Sequence, residues 1–186
     1  MKRTFVGIVI QPDESFRQHF NRIKSVLSDE KIRWADPGHF HLTLHFFGDT
    51  REKDIGVIPN VIEDATVGFS PFLITVSGLG LFRSLKHPRV LWAGLHHNGV
   101  LSELRNKLEK GLMLHGFDGE SRPFRPHLTL GRMKCVKNTG RLSQLLDGYS
   151  HTDFFDFTVS ELVYFESILS PGGSVYRKLS GYELGR

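Results

Sequence analysis

The chain has 186 residues, 39% of them hydrophobic and 24% charged, a composition that suits a folded protein with a real core and argues against disorder. Its formal charge of +4, with a pI near 9.3, fits a phosphate-bearing partner without requiring one. The single cysteine, Cys135, rules out an intrachain disulfide framework and a cysteine-rich zinc site, and it fits a reducing cytoplasm.

Lys2-Arg3 followed by Phe5 to Ile10 superficially resembles the start of a secretion signal. The apolar run is short and leads directly into Gln11-Pro12-Asp13-Glu14, so a buried strand over Arg3 to Ile10 is expected. No other segment approaches the length of a membrane span, and a cytoplasmic location is expected. Pro12 and Asp13 open a helix over Glu14 to Ser28, with Phe16, Phe20, Ile23, Val26 and Leu27 at helical spacing. Asp36-Pro37-Gly38 is turn chemistry, and a strand follows over His39 to Phe47 until Gly48-Asp49. A second helix is predicted over Glu52 to Ala65, distorted at Pro59. Phe72 to Phe82 and Val90 to His96 read as a hairpin around a polar loop, Arg83 to Arg89. Val100 to Leu114 is a strongly patterned helix with Gly116 just past its end. The remaining elements are a strand over Phe124 to Met133, a short helix from Asn138-Thr139 to Tyr149, and strands over Phe155 to Ser167 and Val175 to Leu184 around Pro171-Gly172-Gly173.

One tetrapeptide occurs twice, as His41-Leu42-Thr43-Leu44 and His127-Leu128-Thr129-Leu130. On a strand, side chains alternate between faces, so each copy sets an imidazole and a hydroxyl on one face and two leucines on the other. Around each copy the order is helix, motif strand, helix, two strands. An α+β fold is therefore expected, with two pseudo-symmetric lobes forming one bilobal domain over residues 1–186. Each lobe is an antiparallel sheet with helices packed on its outer face, and the motif strands line a catalytic cleft between the sheets.

Paired imidazoles suit general acid and base chemistry at a phosphodiester, where one group activates the nucleophile and another protonates the leaving oxygen. Thr43 and Thr129, two positions on, can donate to nonbridging phosphate oxygens, and nothing nearby would activate either as a nucleophile. A rival reading takes His39, His41 and His45 as three imidazoles on one strand face that could bind zinc. It leaves the second copy unexplained, and no nearby carboxylate or cysteine completes the set.

HLTLHFFG at His41 to Gly48, with RPHLTLGR at Arg125 to Arg132, resembles the paired His-x-Thr motifs of the two-histidine phosphoesterases. More narrowly, the chain resembles the RNA 2′,3′-cyclic phosphodiesterases, also called 2′-5′ RNA ligases. The likeness extends to Arg3 to Ile10, Gly78 to Phe82, Val90 to Leu95, Tyr164 to Ser167 and Gly173 to Tyr176. It implies a reaction without metal or other cofactor on RNA or oligonucleotides bearing a 2′,3′-cyclic phosphate end, with reverse 2′-5′ ligation possible. His41 would be the proton donor to the departing O3′ and His127 the proton acceptor from water, leaving a 2′-phosphate. Arg132 would help bind the phosphate, and Phe46 would stack on a base. Strict alternation places Phe46 and Arg132 on the leucine side, so each strand must twist or bulge to bring them to the cleft. No obligate protein partner is indicated. The alternatives are a phosphodiesterase acting on 2′-5′-linked oligonucleotides or small cyclic nucleotides, a noncatalytic RNA-binding module and a zinc hydrolase. From Arg122 to Leu146 there is no acidic residue, while Arg122, Arg125, Arg132, Lys134, Lys137 and Arg141 supply positive charge that could guide RNA, as could the Arg83 to Arg89 loop.

Overall fold

A computed structural model of the chain describes residues 1–119, 123–170 and 173–185. Arg122 and the Pro171-Gly172 part of the last predicted turn lie outside them. Strand β1 (Lys2–Val9) has five consecutive buried residues, Thr4 to Ile8, as a strand covered on both faces should. The Asp13 carboxylate accepts the Phe16 N–H at 2.7 Å and starts α1 (Glu14–Val26), which buries Phe16, Phe20 and Ile23. A strand absent from the sequence reading comes next, β2 (Lys31–Trp34); four residues are too few for a periodicity to register. Pro37–His39 forms a single 3₁₀ turn, so β3 (His41–Thr50) begins two residues later than predicted.

Strand β3 also runs past its expected end. Gly48 pairs with Thr4 at φ +69° and Phe47 bulges out beside it, so the glycine that reads as a stop is a kink within the strand. The helix expected over Glu52 to Ala65 is two helices, α2 (Glu52–Ile55) and α3 (Ile58–Thr66). Pro59 has no N–H to give and its ring would clash one turn back, so the chain breaks at Gly56-Val57 and restarts with the proline in the first turn. The predicted hairpin is present as β4 (Phe72–Phe82) paired with β5 (Val90–His96). Helix α4 (Val100–Leu114) ends before Gly116, whose φ is +79°. Then come β6 (His127–Cys135) and α5 (Thr139–Gly148).

The apolar run predicted as one strand over Phe155 to Ser167 is two, β7 (Asp153–Val159) and β8 (Glu161–Ser170), parted at Ser160 and belonging to different sheets. No glycine or proline marks the crossing, which is why it is silent in sequence. Strand β9 (Gly173–Glu183) completes the chain's regular structure.

All pairings are antiparallel, in a four-stranded sheet β3-β1-β8-β9 and a five-stranded sheet β2-β6-β5-β4-β7. The expected α+β architecture of two lobes is therefore present. Each sheet nevertheless takes strands from outside its own half of the chain: β8 and β9 complete the first, and β2 edges the second. Helices α1 and α5 touch β7 and β4, while α3 lies on β8 and β9 and packs against α4. One buried cluster joins Val6, Leu42 and Leu44 of the first sheet to Leu91, Leu128 and Leu130 of the second. The four motif leucines are at most 3% exposed, and burying each contributes roughly 1.5–3 kcal/mol. They anchor the two strands that approach each other across the lobes. No helix among the described residues is long and apolar enough to cross a membrane.

Candidate active site

The two motif strands meet at a cleft of about 450 Å³ whose lining includes His41, Thr43, His127, Thr129 and Arg132. In each copy the histidine and threonine are half-buried and the leucines wholly so, as alternation requires. The two imidazoles are held alike. His41 Nδ1 lies 2.8 Å from the His39 carbonyl oxygen, and His127 Nδ1 lies 2.7 Å from that of Arg125. A carbonyl only accepts, so Nδ1 carries the hydrogen and each neutral ring keeps the lone pair on Nε2.

Aromatic rings fix both imidazoles from the side. The Phe5 and Tyr176 rings stand 4.9 and 4.7 Å from His41, and Phe82 meets His127 edge-on at 4.6 Å. Burial pushes the pKa of His41 below 6.5, and the charges of His127, Arg132 and His39 push the same way against the His39 carbonyl bond. His127 is also lowered, chiefly by burial and then by Arg132, against its bond to Arg125. Both rings are therefore poised to be neutral near pH 7.

After each motif the strand slips its register. Thr43 pairs with Gly7 but His45 with Val6, so Leu44 is extra; Thr129 pairs with Trp92 but Gly131 with Leu91, so Leu130 is extra. These are β-bulges at equivalent places, and each inverts the facing of the residues after it. Gly131 turns inward and Arg132 outward into the cleft. In β3, His45 turns inward and Phe46 outward, to share a face with its cross-strand partner Phe5. Phe46 does not line the cleft itself; the residue is 42% exposed, with the Arg3 guanidinium 4.8 Å from the centre of its ring.

The row of three imidazoles read from sequence does not exist. His45 is 6% exposed on the core side, where its Nδ1–H donates to Glu109 at 2.8 Å. Arg105 reaches the same carboxylate at 3.2 Å and donates to the Leu44 carbonyl at the bulge. Its guanidinium also lies over Phe124, just before the second motif. His39 sits in the 3₁₀ turn, 3.6 Å from Asp36. The zinc reading of His39, His41 and His45 is thus corrected by the bulge, and no cluster of three metal-ligating side chains occurs among the described residues.

The basic stretch is divided in the same way. Arg132 alone of its described cations lines the cleft, while Arg141 pairs with Asp29. The Arg83 to Arg89 loop does not line it either. The sequence reading missed Arg33, Trp34 and Tyr176, which line the cleft, and Phe82, which touches His127. Arg33 and Trp34 lie on the strand it did not resolve, and a spacing argument gives no sign that β9 crosses to the first motif.

The family described as LigT like Phosphoesterase matches residues 8–92 and 96–176. An RNA 2′,3′-cyclic phosphodiesterase of Methanothermobacter thermautotrophicus is 33% identical over 184 residues, covering 98% of both chains. One of Archaeoglobus fulgidus is 31% identical over 182 residues, covering 97% of this chain and 99% of that one. In three dimensions the fold is similar to a crystal structure of a Thermus thermophilus protein, with a TM-score of 0.80, 24% identity, and 98% and 97% of the two chains covered. It is also similar to Escherichia coli LigT complexed with 3′-AMP, at a TM-score of 0.76 and 21% identity, with 100% and 99% covered. With paired motifs on facing strands and a family match over most of its length, this chain belongs to the LigT-like phosphoesterases.

Proposed function

We propose that this chain hydrolyses RNA 2′,3′-cyclic phosphate termini to 2′-phosphomonoesters by general acid and base catalysis, without a metal. The observation that carries this reading is the pairing of two imidazoles on opposite walls of one cleft. Each is tied through Nδ1 to its own backbone and keeps Nε2 for chemistry. The relatives from Methanothermobacter and Archaeoglobus, both named RNA 2′,3′-cyclic phosphodiesterase, support the substrate class.

His127 Nε2 takes a proton from water as the water oxygen bonds to phosphorus. The bond from phosphorus to O3′ breaks, and His41, protonated at Nε2, gives its proton to O3′. Thr43 and Thr129 donate to the nonbridging oxygens, and Arg132 offsets the charge that builds there. Phe46 stacks on an exposed base beyond the cleft. With the 5′-hydroxyl of a second chain in place of water, the same step gives a 2′-5′ bond: that oxygen bonds to phosphorus as His127 takes its proton, and the P–O3′ bond breaks with the His41 proton passing to O3′. The working unit is the whole bilobal domain over residues 1–186, since the cleft needs strands from both sheets. The exposed, unpaired Cys135 suits a reducing cytoplasm.

The test is incubation with an oligonucleotide ending in a 2′,3′-cyclic phosphate, with and without chelator, followed by location of the product phosphate. Turnover that survives chelation and leaves a 2′-phosphate is the expected result. Loss on chelation with recovery on zinc would overturn the mechanism. A substrate with sulfur in place of O3′ separates the roles, because a thiolate leaves without being protonated. It should rescue His41→Ala and leave His127→Ala inactive.

A further inference from the structure

Arg33 is exposed on β2 and lines the cleft, directly opposite Arg132 in the β2–β6 register. Cross-strand partners share a face, and like charges set opposite one another disfavour the pairing. Four other arginines of the chain are paired with carboxylates: Arg51 with Asp54, Arg105 with Glu109, Arg141 with Asp29, Arg177 with Glu166. Arg33 and Arg132 have no such partner among the described residues. The nearby Asp36 carboxylate is turned to its own loop, accepting the Gly38 N–H and facing His39. Two adjacent cations left without a counter-charge at a cleft mark a place for anions that the protein does not itself supply.

We infer that Arg33 binds a second phosphate, the diester on O5′ of the terminal nucleotide, while Arg132 serves the cyclic phosphate beside Thr129. This rests on the activity proposed above. Neighbouring strands lie about 4.8 Å apart, so Arg33 stands one strand farther out than Arg132. An RNA end carries one other phosphate within a nucleotide's reach of its cyclic phosphate, and that is the O5′ diester. A mononucleotide with a free 5′-hydroxyl lacks it. Arg33 therefore makes the cleft a reader of chain ends, favouring a polynucleotide terminus over a free cyclic nucleotide.

The experiment compares kcat/KM for a nucleoside 2′,3′-cyclic phosphate and for the dinucleotide that carries the same end. Arg33→Gln is expected to lower the preference for the dinucleotide about tenfold, the scale of one charge-assisted contact, and Arg33→Lys to restore part of it. The salt dependence of log(kcat/KM) for the dinucleotide should become shallower by about 0.7, the value for one phosphate contact on a single strand. A dinucleotide whose linkage is a neutral methylphosphonate should lose the same preference in the wild type and lose nothing further in Arg33→Gln. Equal losses on mononucleotide and dinucleotide would put Arg33 on the reacting phosphate and overturn the inference, as would a wild type indifferent to the linkage. Failure of the wild type to hydrolyse either substrate is a separate outcome, which removes the proposed activity and this subsite together.

Discussion

Strands β3 and β6 carry the same tetrapeptide, the same histidine bond to a carbonyl two residues back and the same bulge at the second leucine. They differ in what lies beyond. The bulge sends His45 inward and Phe46 outward in one strand, and Gly131 inward and Arg132 outward in the other. Their surroundings account for this. β6 is flanked by β2, and a Cβ on Gly131 would come within 2.7 Å of Ile32 Cγ2 and 3.1 Å of the Trp34 ring. β3 is an edge strand with no such cover, and Arg105 and Glu109 of α4 fill the inward space with charge that His45 completes. One backbone device thus serves two walls, and the neighbouring element decides which side chain it can turn inward.

The largest expected effect tests the equivalence of the walls. His41→Ala and His127→Ala should each lower kcat/KM by at least about a hundredfold, and the double variant by far less than the product, since the proposed mechanism has the two act in one step. A silent substitution on either side would break the comparison outright.

Next come the inward positions. His45→Ala strips one hydrogen bond from a buried carboxylate and should cost about 1–3 kcal/mol in urea unfolding. Gly131→Ala should cost a similar amount by overpacking against β2, about 1–3 kcal/mol. If His45→Ala proves neutral, the α4 network does not hold the first bulge.

The outward positions should separate by type. Arg132→Ala, at a residue that lines the cleft and that the proposed mechanism sets on the reacting phosphate, is expected to reduce kcat/KM about tenfold even for a mononucleotide. Phe46→Ala should raise KM about fivefold, and only for substrates with a base to stack there. Equal losses on every substrate from both variants would erase the distinction between the walls.

The smallest effect concerns pH. Both imidazoles have pKa values below 6.5 in the folded protein, so below that pH the unfolded chain takes up protons that the folded site refuses. Stability therefore falls as pH drops from 6.5 through the folded pKa values, and it is indifferent to these groups above 6.5. The melting temperature should fall by a few degrees between about pH 7 and pH 5, and His41→Gln with His127→Gln should flatten that slope. The bell-shaped pH profile of kcat/KM should peak below 6.5 for the same reason.

Much of this arrangement is legible in the sequence because it rests on local period. The alternation of His-Leu-Thr-Leu sorts cleft side chains from core ones, and the Leu101, Leu104, Leu108 and Leu112 stripe defines α4. What is illegible depends on partners. The bulges arise from pairing with β1 and β5, so a strict two-residue period puts His45 beside His41 when it is in the core. Arg33 gains its place only through register with Arg132, about a hundred residues away. The crossing at Ser160 is hidden because both sheets accept the same aromatic and β-branched residues.

That crossing also sets an order for biosynthesis. The five-stranded sheet draws on strands between Lys31 and Val159, so it is complete before the last two strands are made. The four-stranded sheet must wait, with β1 exposing one side until β8 emerges some 150 residues later. Contacts of such sequence separation form slowly, because the loop that joins them must close first. The wall bearing His127 is thus ready early, whereas the wall bearing His41 is finished among the last events of folding. A chain that ends before β8 carries both histidines but lacks the two strands that complete the sheet behind His41, and with them the Tyr176 ring that stands 4.7 Å from its imidazole.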